Sequence, residues 1–123
     1  MTDGIARAGW DLDLKHGESR EIRLATIMNM GQSKVEVKSD GIARRTGRIY
    51  VEFEHKGNPS GLAVTTADHW AFEINDDIWI IVPTQRLRDL ASRAYNDGLH
   101  TTGGDHNTTR GVTIPLDWFY RGA

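Results

Sequence analysis

The tetrapeptide Val35-Glu36-Val37-Lys38 sets a carboxylate and an ammonium two residues apart between β-branched neighbours. On a strand, where successive side chains alternate between faces, Glu36 and Lys38 project side by side. Such a pair suits phosphodiester hydrolysis, which needs hard oxygen donors for Mg²⁺, a positioned water and positive charge for the developing phosphorane oxygens. A divalent cation usually takes more than one carboxylate, and the chain offers Glu18 and Glu21 before this strand and Glu52 and Glu54 after it. Glu36, Glu52 and a helix-borne Glu are therefore candidate ligands for Mg²⁺ or Mn²⁺. Lys38 is the candidate for holding the attacking water and offsetting transition-state charge. The same Glu-x-Lys pattern also describes a solvated sheet face carrying an ion pair.

The elements that must position these groups follow from periodicity. From His16 to Met30, Leu24, Ala25 and Met28 form a helical stripe that Glu21 extends by one turn, which places Glu21 on the inward side. Strands are expected over Lys34–Lys38 and Arg48–Glu54, with Val35 and Val37, then Ile49, Val51 and Phe53, pointing one way and polar residues on the other face. The connection Ser39–Gly47 is short enough for an antiparallel hairpin, in which Glu36 and Glu52 would lie nearly opposite each other. Trp70–Ile74 and Ile78–Val82 read as two further strands joined by an Asn75-Asp76-Asp77 turn; the second is apolar on both faces, as a central strand is. Thr84 can cap a helix running to about Tyr95, with Leu87, Leu90, Ala91 and Ala94 inward and a Gly or Asn of Asn96-Asp97-Gly98 at its end. Asn96–Gly111 is polar and rich in Gly and Thr, which predicts a long loop, and Val112–Tyr120 a last strand or arm. The expected fold is α/β, a mixed central β-sheet of about four or five strands flanked by helices, in one domain over residues 1–123.

A helix with Gly17-x-x-x-Glu21, then a strand with Glu36-x-Lys38, resembles the PD-(D/E)XK, or restriction-endonuclease-like, nuclease superfamily, which includes Holliday junction resolvases and small phage endonucleases. The matching pieces are Gly17–Glu21, Val35–Asp40 and Thr46–Glu52, about the first half of the chain; the run Gly57–Trp70 is similar to phage-type members. The resemblance implies a Mg²⁺-dependent deoxyribonuclease with Glu36 as metal ligand, Lys38 as the residue that orients water or stabilises charge, and Glu21, or Glu18 in its place, as the helix acid. One departure is plain: the separate Asp that such proteins carry before Glu-x-Lys has no counterpart here. Glu52 on the next strand can replace it. Alternatively Glu36 is that first acid and Glu52-Phe53-Glu54 a Glu-x-Glu variant; the first reading is preferred. Asp13 and Asp40 are fallback ligands. An incomplete metal site would instead leave a noncatalytic nucleic-acid-binding or assembly module on the same scaffold.

Composition limits the alternatives. The 123-residue chain has no cysteine, which excludes disulfides, thiolate metal sites and a cysteine nucleophile. A net charge of -2 gives no overall attraction to DNA, so contact with it would rest on local patches. Arg44, Arg45 and Arg48 beside the candidate site are the first choice, and Arg86, Arg88 and Arg93 the second. His100, Asp105 and His106 match no standard zinc spacing, while Thr101–Arg110 has hydroxyls and backbone amides suited to phosphate. Trp10, Trp70, Trp79 and Trp118 read as core or interface anchors. No apolar run approaches the roughly 20 residues of a membrane span, and no signal-peptide pattern opens the chain. These features predict a cytoplasmic protein without a membrane partner. A small domain acting on a duplex is expected to be a homodimer.

Overall fold

The computed structural model describes residues 22, 25, 33–39 and 43–121. The chain divides into Met1–Ser33 and Lys34–Ala123, and the architecture below is that of the second unit. Of the expected first helix, Ile22 and Ala25 are helical and both are exposed, so Ala25 does not lie on a buried stripe. Glu18, Glu21, Asp13, Asp40 and Trp10 lie outside the described residues.

The fold is α/β with a mixed sheet and flanking helices, as the periodicity predicts, and the seven strands among the described residues divide between two sheets. In the three-stranded sheet, β1 (Val35–Ser39) pairs in parallel with β4 (His69–Glu73), which pairs antiparallel with β5 (Trp79–Pro83). In the four-stranded sheet, β2 (Arg48–His55) lies between β3 (Asn58–Pro59) and β7 (Thr109–Pro115), and β6 (His100–Gly103) closes the far edge, all antiparallel.

The expected hairpin of the first two strands does not form. β1 and β2 belong to different sheets, and their connection holds a helical turn, α1 (Ala43–Thr46). Nor is Ile78–Val82 central: β5 is an edge strand with Trp79 exposed, and β4 holds the middle. The Gly/Thr-rich segment after residue 96 is not one long loop, because β6 and the beginning of β7 lie within it. β7 starts at Thr109 and ends before a last helical turn, α3 (Trp118–Arg121).

One core draws on both sheets and on α2 (Thr84–Asn96). Ile49 and Val51 of β2 lie opposite Ile114 and Val112 of β7, and all four are buried. α2 packs against β7, with Leu87, Leu90 and Ala94, an i, i+3, i+7 stripe, buried. Thr84 does not cap this helix. Pro83 occupies the cap position, and Thr84 instead donates its Oγ1 to the Ala67 carbonyl at 2.6 Å. Gly98 ends the helix at φ +82°. Its N–H bonds Tyr95 O and the Leu99 N–H bonds Ala94 O, the two-bond left-handed closure that favours glycine. Trp70 is in the core and Trp118 packs against it, whereas Trp79 is exposed. Among the described residues no helix is long and apolar enough to cross a membrane.

Candidate active site

The register of the three-stranded sheet decides where Glu36 and Lys38 point. Glu36 lies opposite Trp70 and Lys38 opposite Phe72, and paired residues share a face. Trp70 and Phe72 are 2% and 1% exposed and belong to the core. Glu36 and Lys38 therefore sit at the rim of the core-bearing face, while Val37, on the opposite face, is 50% exposed. Alternation separates Val37 from Glu36 and Lys38 as expected, and the pairing with β4 sets the polar pair beside Trp70 and Phe72. Hydrophobic alternation fixes which residues share a face, and the partner strand fixes which face is covered.

The Lys38 ammonium lies 3.3 Å from Glu36 Oε2 and 5.7 Å from the centre of the Trp70 ring. Both ion-pair partners remain about half exposed, so solvent screening limits the pair to about 0–1 kcal/mol. Lys38 is held near the Trp70 face and stays open to solvent. Ser39, next on the strand, donates its hydroxyl to Glu73 Oε1 at 2.9 Å.

Glu52 reaches the same region from the other sheet. It lies opposite Gly111 of β7, immediately before a bulge that separates it from Glu54. Ser60 donates its hydroxyl to Glu52 Oε2 at 2.6 Å, and Gly61 packs on the Glu52 backbone. A cleft of about 400 Å³ is lined by Lys38, Tyr50, Glu52, Gly61, Trp70 and Gly103, among others. It brings Lys38 and Glu52 to one space although they are not strand neighbours. Glu36 and Glu52 were expected opposite each other across a hairpin; instead Glu36 lies beside Trp70 and Glu52 beside Gly111. Glu54, the other acid of the Glu-x-Glu alternative, is paired with Arg110 at 3.4 Å.

No protein-family model, curated protein or solved structure matches this chain. The site's chemistry thus rests on its own residues. The carboxylates of Glu52 and Glu36 are hard donors of the kind Mg²⁺ and Mn²⁺ select. One oxygen of Glu36 faces Lys38 and one oxygen of Glu52 takes the Ser60 hydroxyl. Among the described residues no group of three or more His, Asp or Glu side chains is close enough to hold a metal ion, at this cleft or around His100 and His106. Glu52 is the one acidic residue lining the cleft among the described residues, and Glu18 and Glu21, which were expected to complete the set, lie outside them. His100 is stacked on Tyr95 at 4.7 Å instead.

Arg44 and Arg45 are exposed on α1, and Arg48 is exposed at the start of β2. The arginines of α2 are more engaged: Arg88 donates to the Thr65 carbonyl, and Arg93 pairs with Asp97 and lies over Trp118. Sequence reading overlooked Tyr50, Ser60 and Gly61. Tyr50 bonds Thr109 through its hydroxyl at 2.8 Å, and its ring leaves no room for a Cβ at Gly103 or Gly111. The signal available in the sequence was the Ser60-Gly61 pair, eight and nine residues after Glu52, read there only as part of a longer run.

Proposed function

We propose that the protein is a divalent-metal-dependent nuclease that hydrolyses DNA phosphodiester bonds at the cleft shared by Lys38 and Glu52. The observation that carries this reading is that an ammonium from one sheet and a carboxylate from the other line one open cleft, with Glu36 beside the ammonium. Mg²⁺ or Mn²⁺, when bound, would polarise the scissile phosphate and lower the pKa of a water. Glu52 and Glu36 are the described carboxylates that would hold it. Lys38 orients the attacking water and offsets charge on the phosphoryl oxygens. Arg44, Arg45 and Arg48 supply phosphate contacts that position the duplex and carry no base specificity. The protein works in the cytoplasm as a homodimer, whose two sites would serve the two strands.

A noncatalytic nucleic-acid-binding module is the second reading, favoured by the lack of a three-residue metal group among the described residues. One experiment separates the two: plasmid, linear and branched DNA incubated with Mg²⁺ or Mn²⁺, with EDTA, Lys38→Ala and Glu52→Gln as controls. Metal-dependent cutting abolished by EDTA and reduced on the order of a hundredfold in both folded variants supports the nuclease. Salt-sensitive DNA binding with no cutting by the wild-type protein supports the module.

A further inference from the structure

We infer that the free edge of β5 is a self-association surface, joining two copies of this chain by antiparallel β5–β5 pairing into one six-stranded sheet. This gives the homodimer of the nuclease reading its interface; it rests on that oligomeric state and not on the chemistry of the cleft. β5 (Trp79–Pro83) has β4 on one side and, among the described residues, no strand on the other. The other outer strands are poorer templates: β1 carries Glu36 and Lys38, β3 is two residues long and ends in Pro59, and β6 is polar throughout. β5 has no charged residue and no bulge, and Ile78 and Trp79 at its start are 53% and 44% exposed. An uncharged, regular, apolar edge of this kind invites another strand.

The hydrogen-bond pattern determines which backbone groups face outward. The Ile74 N–H donates to the Ile78 carbonyl and the Thr84 N–H to the Asp68 carbonyl, at 2.9 Å each. By antiparallel alternation Ile78, Ile80, Val82 and Thr84 turn their backbone groups to β4, while Trp79, Ile81 and Pro83 turn theirs away. Pro83, which has no N–H, thus stands where its missing donor costs the β4 ladder nothing. Centred on a two-fold axis at Ile81, the pairing makes four backbone bonds: Ile81 to Ile81 in both directions, and each Trp79 N–H to the Pro83 carbonyl of the second copy. The same register lays the exposed Trp79 side chain against that Pro83, its cross-strand neighbour on one face. Charge selects the direction. Asp76 and Asp77 precede β5, Arg86 follows it on the first turn of α2, and all three are exposed. Antiparallel pairing sets the acidic end of each strand beside the basic end of its partner, whereas parallel pairing would bring like ends together. Isologous pairing of a single edge closes at two copies. A five-residue edge is smaller than a standard interface of about 800 Å² per partner, so the dimer is weak and concentration-dependent.

The test is sedimentation velocity of the full chain at about 5 to about 500 µM, the range of a transient complex. Each variant is first shown to be folded by its thermal transition. Wild type is expected to pass from monomer to dimer across that range. Ile81→Pro removes the two central bonds without touching the β4 ladder, and Trp79→Lys sets a charge on the paired edge; each is expected to weaken the dimer by about tenfold or more. Asp76→Arg and Arg86→Asp are each expected to weaken it by about fivefold, and the two together to return it to within about twofold of wild type. Should Ile81→Pro fail to fold, the charge reversal, at two exposed positions outside the strand, decides alone. A dimer that these variants leave intact overturns the β5 interface and leaves the nuclease reading standing. A wild type that is monomeric throughout overturns the interface and the homodimer together.

Discussion

Gly61→Ala tests the geometry beneath the candidate site most directly, because two separate costs meet there. Gly61 adopts φ +51°, in the left-handed region that an L side chain resists by about 1–2 kcal/mol. An added Cβ would also fall 2.3 Å from the Glu52 carbonyl oxygen, so backbone, not a flexible side-chain tip, must move. Forced overpacking of this kind costs about 1–3 kcal/mol. Gly57 supplies the internal control. It sits with Lys56 in the two-residue turn joining β2 to β3, both at positive φ, and a Cβ there meets nothing within 4 Å. Gly57→Ala should therefore lose about 1 kcal/mol and Gly61→Ala about 3 kcal/mol. For a chain of this size these correspond to falls in Tm of about 4 °C and about 12 °C. Thermal unfolding of both variants beside the wild type, followed by circular dichroism, reads the difference. Equal Tm values for the two variants would show that Gly61 does not press on the Glu52 backbone.

Two other outcomes follow from particular contacts. Glu54→Gln should retain cleavage within about threefold of wild type while Glu52→Gln loses more than about tenfold, because Glu54 is turned to Arg110 and Glu52 lines the cleft; the reverse order in a cleavage assay would restore the Glu-x-Glu alternative. Thr84→Ala should cost about 1 kcal/mol in urea denaturation and Thr84→Ser much less, since the hydroxyl staples the start of α2 to the Ala67 carbonyl; equal losses would mean that the methyl group, not the bond, matters.

Local rules carried the parts of the fold that local forces settle. The stripe Leu87, Leu90, Ala94 identifies α2 because a helix of that length buries a face at that period, and Gly98 marks its end because the closing residue needs positive φ. Alternation likewise located β1 and β2. It could not reveal that β1 pairs with β4, more than thirty residues on, or that β2 pairs with β7, about sixty residues on. The short connection favoured a hairpin, yet α1 occupies it, and each strand has a partner elsewhere. The composition of β6 and β7 misled for a different reason. Gly103 and Gly111 read as loop residues, but they are small because the Tyr50 ring occupies the space where their side chains would stand.

The candidate site divides along the same line. That Glu36 and Lys38 share a face follows from strand geometry alone, and Glu52 was identifiable as a nearby acid on the next strand. Which face they share was not identifiable, since that depends on Trp70 and Phe72 lying opposite them. The Glu36–Lys38 pair is itself half-exposed, and at the rim of a core-bearing face its lysine also lines a cleft. Ser60 and Gly61 were harder still, because neither is distinctive until the chain folds back after the β2–β3 turn and sets them against the bulge. The acid and the base-bearing strand belong to different sheets, so the site is assembled by tertiary packing rather than carried on one motif. Its geometry must then depend on the contacts that hold β2 locally, among them the Ser60 hydroxyl on Glu52 and the close approach of Gly61 to its backbone.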